Sequence, residues 1–206
     1  DKHERVEVPV LSVLREHGRT LVLGTFVSLV AFVLFYLMTV FTLSWGTTAL
    51  HYPRHQFLLL QLFAVMFFGM TIPASALLAD RYGRRRTMIL VAIAIVLFGI
   101  AFAPLFGSGN VFLVTISLSL GLALMGMTYG PLGTLLSELF PPQVRYTGAS
   151  LAFNLSGILG ASLAPYAATW LATRYGLNFV GYYLSAAALL SLIALLTIKT
   201  PSEAGT

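Results

Sequence analysis

The sequence predicts an all-α, polytopic membrane protein: six transmembrane helices arranged as an inverted three-plus-three repeat. Three observations carry this. The chain has 206 residues, 58% hydrophobic and only 9% charged, with a mean hydropathy of +0.88, which is too apolar for a soluble domain. Six runs, 20–43, 58–79, 87–106, 111–136, 148–171 and 178–198, contain no Asp, Glu, Lys, Arg or His. Each is long enough as a helix to cross a hydrocarbon core of about 30 Å. The basic residues lie between these runs, and most of them fall on one side.

Residues 1–19 form a charged entry segment. Pro9, Val10, Leu11, Val13 and Leu14 lead into Arg15, Glu16, His17 and Arg19. That pattern suits a short amphipathic helix on the membrane surface or a solvated tail. Residues 20–43 are the first span. Residues 44–57, with Gly46, His51, Tyr52, Pro53, Arg54 and His55, read as a loop. The second span, 58–79, carries Gln61, Thr71, Pro73 and Ser75. A tight basic loop follows at 80–86, with four arginines and an aspartate in seven residues. The third span, 87–106, is the most uniformly apolar. Gly107-Ser108-Gly109-Asn110 is a turn. The fourth span, 111–136, is glycine-rich and contains Pro131. Residues 137–147 read as a second polar loop. The fifth span is 148–171, Thr173-Arg174-Tyr175-Gly176 is a short loop, and the sixth span is 178–198. A polar tail, 199–206, closes the chain. Domain organisation is then an entry segment, a six-helix bundle over 20–198, and the tail.

Six spans put both ends on one side. That side collects Lys2, Arg5, Arg15, Arg19, Arg81, Arg84, Arg85, Arg86, Arg145 and Lys199, against Arg54 and Arg174 on the other. The excess of positive charge places both ends and the 80–86 loop in the cytoplasm. The net charge of +5 is thus a topology signal, and no nucleic-acid partner is expected. The chain begins with Asp and shows no signal-peptide pattern, so it is expected to be a piece of a longer polypeptide. Ala79-Asp80-Arg81-Tyr82-Gly83 is echoed 93 residues later by Ala172-Thr173-Arg174-Tyr175-Gly176. Each copy ends the second helix of a three-helix set, as an inverted repeat requires.

With no cysteine there is neither a disulfide nor a thiolate metal site. His51 and His55 stand four apart without an evident third ligand, which suits solvated loop histidines. No nucleophile–base pair, phosphate loop or metal cluster is evident. Neither an enzyme nor a cofactor is expected.

In the basic loop, Gly83 permits a reversal that a side chain would obstruct. Asp80 can accept hydrogen bonds from a neighbouring helix N-terminus, and the arginines can pair with carboxylates or lipid phosphates. Charge alone allows a latch on one face of a transporter or a plain positive-inside anchor. Gly126 and Gly130 allow close helix approach, with packing or a bend near Pro131 as the two roles.

Ala76-Leu77-Leu78-Ala79-Asp80-Arg81-Tyr82-Gly83-Arg84-Arg85-Arg86 resembles the loop signature of the major facilitator superfamily, Gly-x-Leu-Ala-Asp-Arg-x-Gly-Arg-Arg, with Ala76 in place of the first glycine. The stretch from Glu138-Leu139-Phe140-Pro141 through Arg145-Tyr146-Thr147-Gly148-Ala149-Ser150 to Asn154 resembles the metabolite:proton symporter branch. That branch includes carriers of shikimate, 2-oxoglutarate, citrate, proline and betaine. Phe35-Tyr36-Leu37-Met38-Thr39-Val40-Phe41 fits the same branch. The resemblance covers nearly the whole chain and matches only helices seven to twelve of a twelve-helix carrier.

The resemblance implies a cytoplasmic gate of Asp80, Arg81, Gly83, Arg84 and Arg85, with Glu138 and Arg145 as a second charged set beside it. Arg145 would pair with Glu138 or Asp80; the alternative for Glu138 and Arg145 is a solvated loop. Family architecture implies that spans one, two, four and five line the cavity while three and six face lipid. Polar candidates for the pathway are Tyr36, Thr39, Gln61, Thr128, Tyr129, Ser150, Asn154 and Tyr166. Asn154 is the foremost, sharing a helical face with Ser150, Gly157 and Ala161. Its alternative role is an interhelical hydrogen bond, and Thr39 and Thr128 can bond their own backbone.

The expectation is therefore the C-terminal half of a bacterial inner-membrane carrier that moves a small organic acid or zwitterion, with a proton, by alternating access. Its partners would be the lipid bilayer and an N-terminal six-helix half of the same carrier. No titratable side chain lies within the six spans, so a proton-coupling group is expected in the other half. Two alternatives stand beside this: a sugar-porter-like facilitator without proton coupling, and a non-transporting six-helix module that dimerises.

Overall fold

A computed structural model describes residues 9–198. Lys2, Arg5, Lys199 and the tail 199–206 lie outside the described residues. The described elements are all helical: α1 Pro9–Glu16, α2 Gly18–Tyr36, a π-helical turn Leu37–Phe41, α3 Thr42–Thr48, α4 Arg54–Tyr82, α5 Arg84–Phe106, α6 Val111–Glu138, α7 Arg145–Tyr175 and α8 Leu177–Thr197. α2, the π turn and α3 run on as one helix, so six helices are long and apolar enough to cross a membrane.

The connections are shorter than the sequence suggests. Residues 44–57 are not a loop: α3 continues to Thr48 and α4 starts at Arg54. The Thr47 and Thr48 hydroxyls bond back to the Leu43 and Ser44 carbonyls at 2.9 and 2.7 Å, which makes polar residues compatible with helix. The 80–86 stretch is not a loop either. α4 ends at Tyr82, α5 begins at Arg84, and Gly83 alone makes the break. The second polar loop shrinks from 137–147 to 139–144. Residues 173–175 belong to α7, and Gly176 alone separates α7 from α8.

Gly83 and Gly176 adopt the same conformation, φ 95° and ψ 136° in one, φ 93° and ψ 169° in the other. That region of backbone space is nearly closed to residues with a Cβ. The sequence echo therefore marks one structural device used twice.

Helix packing has the same symmetry. Let α2–α3, α4 and α5 form one set, and α6, α7 and α8 the other. α4 packs chiefly on α6, and α2 on α7; α5 packs on α6, and α2 on α8; α5 and α8 pack on each other. Exchanging the sets maps each pairing onto another or onto itself. Three helices per set also reverse direction between copies. The bundle is an inverted repeat.

Small residues and hydroxyls hold these pairs together, as expected where lipid tails remove any hydrophobic drive between helices. On α4, Thr71 and Ser75 donate to the α6 carbonyls of Ala123 and Gly126 at 2.9 and 3.3 Å. A Cβ on Gly126 or Gly130 would run into the Thr71 or Ser75 hydroxyl. Between α5 and α8, Ser185 donates to the Val96 carbonyl at 2.9 Å. Between α2 and α8, Ser191 donates to the Phe26 carbonyl at 2.6 Å and accepts from the Val30 amide at 3.2 Å. α7 buries a stripe at four-residue spacing: Gly148, Ala152, Ser156, Gly160, Ala164, Ala168 and Ala172.

α1 is a helix, and Val13 is fully buried in a cluster with Leu136, Phe140 and Val144. Val10, Leu11 and Leu14 stay exposed. The entry helix is thus pinned to the bundle by one side chain and presents an apolar strip outward.

Candidate functional site

The break at Gly83 sets up the charged site. The Gly83 amide donates to the Ala79 carbonyl at 2.9 Å, closing α4, while its own carbonyl accepts the Thr87 amide at 3.1 Å, opening α5. The Thr87 hydroxyl bonds the same carbonyl at 3.0 Å. Arg84, Arg85 and Arg86 therefore occupy the first turn of α5. Cations are unfavourable at a helix N-terminus, so each needs compensation.

Arg84 finds it in two carboxylates. It pairs with Glu138 at the end of α6, and its guanidinium lies 3.8 Å from Asp80, one turn back across the break. The side chains of Arg84 and Glu138 are 34% and 38% exposed, and that of Asp80 is 69% exposed. Arg85 turns to the far end of α8 and donates to the Leu195 and Leu196 carbonyls at 2.7 and 3.0 Å, where a helix C-terminus favours a cation. Arg81 lies over the Tyr82 ring, 5.4 Å from its centre. One charged set thus ties α4, α5, α6 and α8 at a single end of the bundle.

The expected pairing of Arg145 with Glu138 or Asp80 is replaced by another arrangement. Arg84 takes both carboxylates, and Arg145 Nε donates to the Phe140 carbonyl at 3.4 Å. The reason is Phe140. Its ring is fully buried against Gly148, where a Cβ would overlap it. That knob fixes the 139–144 connection, and Arg145 caps it from the start of α7.

The pathway candidates separate into two groups. Gln61 is committed inside the bundle: its amide donates to the Met38 and Thr39 carbonyls at 3.0 and 2.9 Å. Thr39 and Thr128 bond the Phe35 and Met125 carbonyls of their own helices. Tyr36 is partly buried and meets Phe35 edge-on. In contrast, Tyr129 on α6 and Ser150, Asn154 and Tyr166 on α7 are exposed. The Asn154 amide donates to the Ser150 carbonyl at 2.8 Å, a bond within its own helix that leaves the side chain at the surface.

The exposed faces differ in chemistry. α5 presents Leu90, Ile93, Leu97 and Ile100 outward, a lipid-compatible strip. α7 presents Ser150, Asn154, Tyr166, Thr169 and Thr173 among its apolar residues.

The family model of the major facilitator superfamily matches residues 24–206. The chain belongs to the major facilitator superfamily. It is 51% identical over 198 residues to an inner membrane metabolite transport protein of Escherichia coli, covering 94% of this chain and 45% of that protein. It is 38% identical over 209 residues to a putative metabolite transport protein of Haemophilus influenzae, covering 96% and 48%. It is 29% identical over 205 residues to the shikimate transporter of E. coli, covering 96% and 46%. The chain spans about half the length of these relatives. No solved structure matches it. Within the superfamily, its six-helix inverted repeat corresponds to half of the fold.

Sequence reasoning identified the charged residues but missed three features: the Arg84–Glu138 pairing, the buried role of Phe140, and the interhelical hydroxyls of Thr71, Ser75, Ser185 and Ser191. The four-residue spacing of small residues along α7 was the available signal for close packing.

Proposed function

We propose that this chain forms the C-terminal half of a secondary transporter that moves a small organic acid or zwitterion across the bacterial inner membrane by alternating access, coupled to protons. The observation that carries this is the mixed outward face of α7, where polar side chains stand among Leu155, Ile158 and Leu163. Ser150, Asn154, Tyr166, Thr169 and Thr173 are exposed on a helix apolar enough to span a bilayer. A water-filled cavity shared with a second six-helix half accommodates these polar side chains better than lipid does.

The relatives named as metabolite and shikimate transport proteins, and the proline/betaine transporter of E. coli at 31% identity over 170 residues, support the substrate class. In this reading the Gly83 end faces the cytoplasm, in line with the positive-inside rule, and the first residues and the tail lie on that side. Asp80, Arg81, Gly83, Arg84, Arg85, Glu138 and Arg145 form the cytoplasmic gate. The Arg84–Glu138 pair closes α5 against α6 when that side is shut and separates when it opens. Asn154, Ser150, Tyr129 and Tyr36 line the substrate path, while Gln61 shapes it from behind. The runs 20–43, 58–79, 87–106, 111–136, 148–171 and 178–198 hold no Asp, Glu, Lys, Arg or His, and the charged residues of the spanning helices sit at their ends, so in this reading the coupling proton is carried by the other half.

The test is uptake of labelled shikimate, 2-oxoglutarate, citrate and proline into cells that make the protein, at two external pH values. Uptake of one of these that rises at acid pH and collapses with a protonophore is expected. Uptake indifferent to both would leave the facilitator reading. No uptake at all would leave the dimerising module.

A further inference from the structure

The first spanning helix is not regular throughout. At Leu37–Phe41 it widens into a π turn, and the Thr42 amide reaches back five residues to the Leu37 carbonyl. A π turn holds one residue more than the α-helix it interrupts. Leu37, Met38 and Phe41 are buried, so a carbonyl left without a donor here is costly. The side-chain amide of Gln61, reaching over from α4, supplies donors to the Met38 and Thr39 carbonyls at 3.0 and 2.9 Å, and lies 3.2 Å from the Thr42 hydroxyl.

Removing the extra residue from the turn has a defined consequence. α2 is held by its buried face, so the segment beyond the turn must move. It rotates by about 100° and shifts about 1.5 Å along the axis. Ser44 then takes the present place of Trp45, and Trp45 takes that of Gly46. The Gly46 position admits no side chain, because even a Cβ there would overlap the Phe57 ring, and Phe57 is fully buried. The α register is therefore incompatible with α3 lying on α4. The π register fits that docking, and Gln61 donates to the Thr39 carbonyl and to the Met38 carbonyl, which also accepts the Thr42 hydroxyl at 2.6 Å.

We propose that Thr42–Thr48 is a two-register element at the end of the bundle remote from Gly83, and that Gln61 is a positioning residue holding the π, docked register. Release of Gln61 lets the turn relax to α-helix and frees α3 from α4. That this opens and closes the carrier at this end rests on the transport reading above; the two registers themselves do not.

The experiment is hydrogen–deuterium exchange of residues 42–49 in the intact membrane protein, for the native sequence, Gln61→Leu, a deletion of Val40, and the two changes combined. Deleting Val40 removes the extra residue while leaving Gly46 against Phe57. Gln61→Leu alone is expected to speed exchange across 42–49 at least about fivefold, the loss of one or two hydrogen bonds. In the Val40 deletion exchange stays slow, and adding Gln61→Leu changes nothing. An equal acceleration by Gln61→Leu in both backgrounds, or in neither, overturns the proposal. A Gln61→Leu protein too unstable to purify is expected to be rescued by the deletion, and failure of that rescue also overturns it. Uptake is measured separately: a folded Val40 deletion that still transports at the native rate would cut the link to opening and leave the registers standing.

Discussion

Replacing Gly181 by alanine would drive α5 and α8 apart. An added Cβ would fall on the Gly99 carbonyl oxygen, and a backbone atom in the middle of a helix has no rotamer through which to yield. A comfortable C···O separation is about 3.3 Å or more, so the helices must part along the contact. Such overpacking costs about 1–3 kcal/mol. The Ser185 hydroxyl bond to the Val96 carbonyl, 2.9 Å long and beside the contact, stretches too and adds about 0.6 kcal/mol. The better helix propensity of alanine offsets up to about 1 kcal/mol. The net is roughly 2 kcal/mol, a factor of about thirty in the folded-to-unfolded ratio. Gly157→Ala is the control. Its added Cβ would lie 3.3 and 3.4 Å from the tip of the Phe32 ring, which can swing away, so its cost stays within about 0.5 kcal/mol. Reversible unfolding in bicelles by steric trapping measures both. Equal costs at the two sites, or a larger cost at Gly157, would refute the close α5–α8 crossing.

Gly83→Ala and Gly176→Ala each force a Cβ into a backbone region that disfavours it and should cost about 1–3 kcal/mol; the repeat predicts similar losses at both sites by thermal unfolding. Glu138→Gln removes the Arg84 partner. Since both side chains are about a third exposed, stability should change by less than about 1 kcal/mol, while the proposed gate role predicts a severalfold fall in uptake. Asn154→Ala should leave stability nearly unchanged, as its bond to the Ser150 carbonyl is within one helix, and should raise the KM for uptake.

Hydropathy placed the six spans because the bilayer selects long uncharged runs, and the bundle keeps all six. It misplaced the helix ends because polarity marks where a helix leaves lipid, not where it stops. Thr47, Thr48 and Arg84 are polar yet helical. The Arg-Tyr-Gly echo proved structural: both glycines take the same left-handed conformation. At the candidate gate the charges were legible but the pairing was not. Arg84 and Glu138 lie 54 residues apart and are joined only by the α5–α6 packing, and a buried Phe140 decides what Arg145 can reach. The π turn left a single trace in the sequence, the Gln61 amide inside an apolar run. Such an amide fits a substrate contact as readily as a backbone clamp until the helix beside it is seen.

Alternating access is tested most directly by thiol labelling on α7. The chain has no cysteine, so a single cysteine placed at Ser150 or Tyr166 is the one thiol it carries. They are both exposed and stand about 24 Å apart along the helix, one toward the Glu138 end and one toward the other. With substrate present, labelling should rise at one position and fall at the other. Labelling that rises or falls at both together, or ignores substrate at both, would contradict a carrier that opens its two ends in turn.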